Sequence, residues 1–294
     1  MKSSVKAALM LVLIAAVALI AYSLGRQQTA PPPSTTVPAA PSETAAPAPT
    51  KAAAPVTPAP TTANRAPLEK ALALREAGKL AEAREALREL LTHAGDAQLV
   101  TDTQKALGDV NMQLLLTPAP APEKVDYVVQ PGDSLGRIAK MHNTTIEVIQ
   151  KLNGLRETII QPAQRLRVTP TKFALAVSKS QNTLLVTDDG KFFKLYRCGT
   201  GQYSTTPVGT FKITDRIASP PWWKDGQTIP FGSKENVLGK YWLALDIPHY
   251  GIHGTWEPET IGRQSSQGCI RLINEDVEEL FIILPAGTPV QVTE

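Results

Sequence analysis

From Gln27 to Asn64 the chain is almost entirely alanine, proline, threonine and serine ("APPPSTTVPAAPSETAAPAPTKAAAPVTPAPTT"). Such a segment has too few large apolar side chains to offset the entropy of ordering its backbone, and its prolines favour extended polyproline II, so it reads as a disordered spacer. The chain has 294 residues. The spacer separates an N-terminal apolar stretch from a foldable remainder of about 230 residues, enough for more than one domain.

Ahead of the spacer, "MKSSVKAALMLVLIAAVALIAYSLGRQQ" sets Lys2 and Lys6 before a charge-free run from Ala7 to Leu24, closed by Arg26. Roughly 18 apolar residues exceed the core of a cleaved signal peptide and about suffice to cross the hydrocarbon layer, with the lysines favouring a cytoplasmic N-terminus. Residues 1–26 are expected to be a membrane anchor, with cleavage after Ala21-Tyr22-Ser23 as the alternative. Either way the remainder is exported, inner-membrane anchored or periplasmic and wall-associated. The net charge of +3 and the lack of basic runs interleaved with aromatics argue against a nucleic-acid partner.

Residues 65–117 ("RAPLEKALALREAGKLAEAREALRELLTHAGDAQLVTDTQKALGDVNMQLLLT") repeat apolar residues at helical spacing in three segments, with Gly78 at a turn. The pattern resembles a tetratricopeptide unit, but one and a half units fall short of the about three that make a stable solenoid. The segment is expected to pack on itself, on another domain or on another copy, as a helical spacer or as a docking module for a protein partner.

"YVVQPGDSLGRIAKMHNTTIEVIQKLNGLRETIIQPAQRLRV" then reads β-α-α-β, its second helix opened by Thr144 or Thr145. Through "YVVQPGDSL", "IA", "LNGL" and "RLRV" it resembles a LysM domain over residues 125–169. The resemblance implies binding to the N-acetylglucosamine-containing glycan strands of peptidoglycan. It puts Gly132, Asp133, Ser134 and Leu135 in one binding loop, and Ile159, Ile160, Gln161 and Pro162 in the other. Gly136 stands where a larger residue is common, and Ala163 replaces the usual glycine after the proline.

Residues 172–294 are mostly strand in pattern, with a hairpin at Asp189-Gly190 and one late helix for which Asn274 is the expected N-cap and Pro285 the stop. Cys198 and Cys269 are the only cysteines, and in an exported chain they could form a disulfide. The alternative is a nucleophile. "SSQGCIR" surrounds Cys269 with polar groups and suits an exposed thiol beside a positive charge, whereas Cys198 lies in the alternating run "FFKLYRCG". A cysteine, a distant histidine and a glycine beside the cysteine supply the thiolate, base and backbone donors that acyl transfer requires.

In "TPVGTF" (Thr206 to Phe211), "NVLG" (Asn236 to Gly239), "YGIHGT" (Tyr250 to Thr255) and "SSQGCIRLIN" (Ser265 to Asn274), this region resembles the catalytic domain of the L,D-transpeptidases, cysteine enzymes that cross-link peptidoglycan. The resemblance implies Cys269 as nucleophile, His253 as base and then acid, and the Gly254 carbonyl as orienter of the imidazole. It implies the amides of Gly268 and Cys269 as oxyanion donors and Arg271 as the charge beside the thiol. Tyr250, Ser266, Gln267 and Trp223 are expected to contact substrate, Gln267 standing where many members have histidine. No cofactor is implied, and no Cys/His/Asp spacing suits a metal. "SPPWWKDGQTIPFGSKEN" reads as a loop and lid candidate, "YWLAL" as a strand packing its Tyr241 or Trp242 in the core, His249 as a turn residue, and His93 and His142 as solvated.

The expected architecture is multidomain: a mostly-β catalytic domain with one late helix, preceded by a βααβ LysM domain and an α-helical segment. The expected activity is acyl transfer between peptidoglycan stem peptides. Carboxypeptidase or protein-attachment chemistry at the same site, and a non-catalytic wall-binding protein, are the alternatives.

Overall fold

The structure is a computed structural model describing residues 64–294 apart from position 225, so the expected anchor and nearly all of the spacer lie outside the described residues. Among the described residues no helix is long and apolar enough to cross a membrane.

Three helices come first: α1 (Ala66–Glu76), α2 (Leu80–His93) and α3 (Ala97–Leu116). Gly78 takes φ +75° at the first turn, as a residue without Cβ can. Asp96 caps α3 by accepting from the Leu99 N–H at 2.8 Å. The LysM region follows as β1 (Val125–Val128), α4 (Leu135–Met141), α5 (Ile146–Asn153) and β2 (Arg165–Val168), with β1 and β2 antiparallel. Ser134 caps α4 and Thr145 caps α5. A small core of Val129, Leu135, Ile138, Ile149, Leu166 and Val168 closes this unit.

The rest is β3 (Phe173–Ser178), β4 (Thr183–Asp188), β5 (Lys191–Arg197), β6 (Thr200–Gly201), β7 (Gly209–Ala218), β8 (Trp222–Lys224), β9 (Gln227–Ile229), β10 (Tyr241–Leu245), β11 (Gly251–His253), β12 (Gln264–Ser266), β13 (Ile270–Arg271), α6 (Asn274–Ile283) and β14 (Pro289–Thr293). Eight strands form one sheet in the order β13-β11-β10-β7-β14-β3-β4-β5. Only β11/β13 and β14/β3 are parallel neighbours within it. The long β7 is shared: Gly209–Lys212 pair with β14, and Ile213–Ala218 with β10. It thus joins the β3-β4-β5 half to the half that carries the histidine.

The helical segment and the LysM unit pack on the catalytic region and share its core. Met112 and Leu115 of α3 and Val148 of α5 lie in the same apolar cluster as Phe173, Val186, Leu243 and Ile252. The contact with β5 is specific. Lys194 pairs with Val186 and Phe192 with Thr187, which leaves Phe193 as a bulge residue; the buried Asn111 amide donates to its carbonyl at 2.8 Å. On the LysM side, Arg216 of β7 pairs with Glu147 of α5 at 3.0 Å, and Thr145 donates to the Ile282 carbonyl.

Two expectations are corrected. Asn274 is the first residue of α6, not its cap; its side chain accepts from the Lys240 N–H at 3.0 Å and donates to the Thr255 carbonyl at 2.8 Å. The anticipated lid loop contains a short antiparallel hairpin, β8 against β9.

Candidate active site

Cys269 sits in a turn between β12 and β13. Gly268 takes φ +137°, and a Cβ there would lie 2.6 Å from the Tyr250 ring, so the glycine expected before the cysteine is required sterically. The Ser266 hydroxyl accepts from the Gly268 N–H at 3.0 Å and donates to the Cys269 carbonyl at 2.6 Å, closing the turn on itself. This revises two expectations. The Gly268 amide is engaged inside the turn, whereas among the described residues the Cys269 N–H has no acceptor, and Ser266 is buried in the turn.

The thiol is half-buried and free, and its Sγ lies 3.6 Å from the His249 carbonyl oxygen. The register Ile252 to Ile270 and His253 to Arg271 sets Cys269 level with Gly251. Burial pushes the thiol above its ordinary pKa, while the Gly251 N–H and the Arg271 charge pull it back. Cys198, also free, lies fully buried in the core, where desolvation drives it up to about 12. The two cysteines do not form a disulfide.

His253 is 3% exposed. Its Nδ1 lies 2.6 Å from the Gly254 carbonyl, which can only accept; Nδ1 therefore carries the proton, and the basic lone pair is on Nε2. Desolvation lowers the imidazole to about 4, against the pull of the Gly254 and Leu238 carbonyls and with the Arg271 charge adding to the shift. The resting pair is thus a neutral thiol and a neutral imidazole. Gly254 is itself held: a Cβ on it would meet the Asn274 Oδ1 at 2.2 Å, so the Asn274 amide packs directly on the residue that orients the base.

Arg271 sits on β13 with its guanidinium 3.5 Å from a Glu257 carboxylate oxygen and 3.4 Å from Ser265 Oγ, and its buried Nε has no partner in the structure. A cleft of about 600 Å³ opens over the thiol, lined by Trp222, Trp223, Trp242, His249, Tyr250, Gln267 and Cys269 among others. Trp223 is 73% exposed, and Tyr250, Gln267 and Trp223, the residues expected to contact substrate, all line this cleft. Two clefts of about 520 and 670 Å³ elsewhere contain neither cysteine nor histidine. Among the described residues no cluster of His, Cys, Asp and Glu could hold a metal ion.

Several residues were missed or misplaced by the sequence reading. Of the two residues of which one was expected in the core, Tyr241 packs there against Phe281, while Trp242 lines the cleft and stacks on His253. His249 lies in a turn, as expected, at φ +70°, and it reaches the thiol through its carbonyl, which was not expected. His142 is not simply solvated, since its ring packs edge-on against Tyr127. In the LysM unit, Leu135 is 1% exposed in the core, and the Asp133 carboxylate accepts from the Tyr127 hydroxyl and the Gln130 N–H. Ser134 is engaged as a helix cap. Those three shape the loop, whereas Gly132, Ile159, Gln161 and Pro162 are exposed and Ile160 packs partly on the core.

A family model for the L,D-transpeptidase catalytic domain (YkuD) matches residues 172–292, and one for the LysM domain matches residues 127–169. A Bacillus licheniformis protein named L,D-transpeptidase YkuD is 35% identical over 175 residues, covering 57% of this chain and 98% of its own length. A Bacillus subtilis protein of the same name is 33% identical over 173 residues, covering 56% and 97%. The catalytic domain of an E. faecium L,D-transpeptidase aligns structurally at 26% identity over 41% of this chain and 96% of its own, with a TM-score of 0.35. A strand-rich catalytic domain joined to a LysM domain defines a peptidoglycan-directed enzyme. The chain belongs to the L,D-transpeptidase family.

Proposed function

We propose that Cys269 and His253 carry a two-step acyl transfer on peptidoglycan stem peptides. His253 Nε2 takes the thiol proton, and the Cys269 sulfur attacks the carbonyl of the third residue of a tetrapeptide stem. The oxyanion is met by the Cys269 N–H. Collapse breaks the bond to D-Ala, the leaving amine takes the proton from His253, and a thioester remains. A second stem's side-chain amine then attacks the thioester and loses a proton to His253, the C–S bond breaks as the 3→3 cross-link forms, and His253 returns the proton to the Cys269 sulfur; water in place of the amine gives the tripeptide. The observation that carries this reading is the Nδ1 hydrogen bond to the Gly254 carbonyl, which fixes the basic tautomer of an imidazole on the strand paired with the one that follows the free thiol.

The positive charge of Arg271 suits the stem's carboxylate, and the exposed aromatic rim suits its peptide backbone and sugar. The exposed loop of residues 159–162 with Gly132 presents the LysM surface to glycan strands, and the LysM unit's contacts with β7 and α6 hold it at a set position beside the catalytic region. The apolar N-terminal run would tether the enzyme to the inner membrane, with the spacer reaching toward the wall. The packing of α3 on β5 supports the helical segment as a brace of the catalytic sheet, with its outer faces free for a protein partner.

Incubation with a disaccharide tetrapeptide tests the reading. Free D-Ala and either a cross-linked dimer or a tripeptide are expected from the parent and from Cys198→Ala, and none from Cys269→Ala. D-Ala release by Cys269→Ala, or none by the folded parent, would overturn the assignment.

A further inference from the structure

We propose that Thr206 is a positioning residue for the oxyanion site, its hydroxyl fixing the Gly268–Cys269 peptide so that the Cys269 N–H faces the cleft. The inference rests on Cys269 being the nucleophile. Thr206 is buried, and its Oγ1 accepts from the Gly201 N–H at 2.8 Å and donates to the Gly268 carbonyl at 2.8 Å. A hydroxyl has one proton, so with Gly201 donating to it, that proton is committed to Gly268. The peptide that carries the Gly268 carbonyl also carries the Cys269 N–H, and a planar trans peptide points the two in opposite directions. Holding one end therefore aims the other.

The turn needs this restraint. The Tyr250 ring excludes any side chain at 268, and a glycine there leaves the 268–269 peptide free to rotate. Ser266 holds the Gly268 N–H and the Cys269 carbonyl, the groups on the peptides to either side, but nothing on the 268–269 peptide itself. Among the described residues the Cys269 N–H has no acceptor, which is the condition an oxyanion donor must meet in the free enzyme.

The surrounding backbone is built to deliver the hydroxyl. β6 pairs with β12 at Gly201 and Ser266, and a Cβ at Gly201 would lie 2.9 Å from the Gly268 Cα, so the two segments touch with no room between them. The chain then reverses through Tyr203 and Ser204, at φ +51° and +60°, and returns Thr206 to Gly201. Two non-glycine residues in the left-handed region persist only where surrounding contacts hold them there.

Two reactions of one sulfur separate positioning from mere support of the fold. With a carbapenem, the thiolate adds to the ring carbonyl through an oxyanion, the ring C–N bond breaks and the nitrogen takes a proton. With iodoacetamide, the thiolate displaces iodide at a saturated carbon and no oxyanion forms. In the full chain, Thr206→Val should slow acylation roughly ten- to hundred-fold while alkylation stays within about twofold of the parent. Thr206→Ser, which keeps the hydroxyl, should restore acylation. Thr206→Ala leaves space for a water and should fall between Val and the parent. Acylation of folded Val or Ala variants at the parent rate, an equal fall in both reactions, or loss of the fold in both variants would overturn the proposal. Failure of the parent to be acylated, or an adduct on Cys269→Ala, would instead overturn the nucleophile assignment on which it rests.

Discussion

The indole of Trp242 lies stacked on the imidazole of His253, ring centroids 5.6 Å apart and planes inclined by 22°. Trp242 also lines the cleft, and the stack contributes to the burial that lowers the imidazole to about 4. It also makes the indole a reporter, because an imidazolium in contact quenches tryptophan emission. Acid titration of the parent minus His253→Gln should show a quench centred near pH 4. A midpoint between pH 6 and 7 would mean that the imidazole is solvated.

The same shift has a stability consequence. The unfolded imidazole binds its proton near pH 6.5 and the folded one only near 4, so between those values the unfolded state holds more protons. Stability from this group is fully present above about 6.5 and falls as the pH drops toward 4, at up to about 1.4 kcal/mol per unit. Asp276, raised to about 6 by burial and by Glu279, contributes with the opposite sign. Urea unfolding of the parent and His253→Gln across this window cancels the Asp276 effect; equal slopes would sink the assignment.

Thiol labelling separates the two cysteines. Cys269 is half-buried at the cleft, and Cys198 is fully buried in an apolar cluster. Native protein without reductant should take up one equivalent of a maleimide, at Cys269, and the second only after unfolding. Labelling of Cys198 in the native protein, or of neither until reduction, would contradict the structure.

The helical segment should behave as part of the catalytic fold. Asn111→Leu removes the donor to the Phe193 bulge carbonyl and should cost about 1–3 kcal/mol, read as a lower urea midpoint with near-UV circular dichroism retained before the transition. An unchanged midpoint would return α3 to the role of a spacer.

The elements and residues written in local pattern were legible: three helices with a turn at Gly78, the βααβ unit with Thr145 opening its second helix, the hairpin at Asp189-Gly190, and, of the site, the free thiol of Cys269. What was not legible depends on strands too short to show a period. β11, β12 and β13 have two or three residues each, yet the β11/β13 register brings His253 beside Arg271 and Gly251 beside the thiol. Which of Tyr241 and Trp242 enters the core was not legible, because alternation gives two faces and not which of them is the cleft. Asn274 looked like a cap because a polar residue before an apolar run usually is one; its partners, Lys240 and Thr255, are distant in sequence.

The LysM loops divide residues that shape the fold from residues free to meet a glycan, and two substitutions should separate these roles. Ile159 is 76% exposed at the loop tip, so Ile159→Asp should leave the urea midpoint unchanged while weakening binding to purified sacculi by tenfold or so, since about 1.5 kcal/mol of apolar contact is replaced by a solvated charge. Leu135 is 1% exposed, so Leu135→Ala should cost about 2–5 kcal/mol and lose sacculus binding only through unfolding of the unit. Ala163 supplies a third variant. It holds φ +68° where a Cβ is strained, and Ala163→Gly should raise stability by about 0.5–1 kcal/mol, the strain relieved less the extra freedom of the unfolded chain. Its neighbours Gln161 and Gln164 are tied through the Gln161 N–H and the Gln164 side chain, so the exposed loop keeps its form and sacculus binding should stay at the parent level. Parent-like binding by Ile159→Asp would move the glycan surface away from this loop.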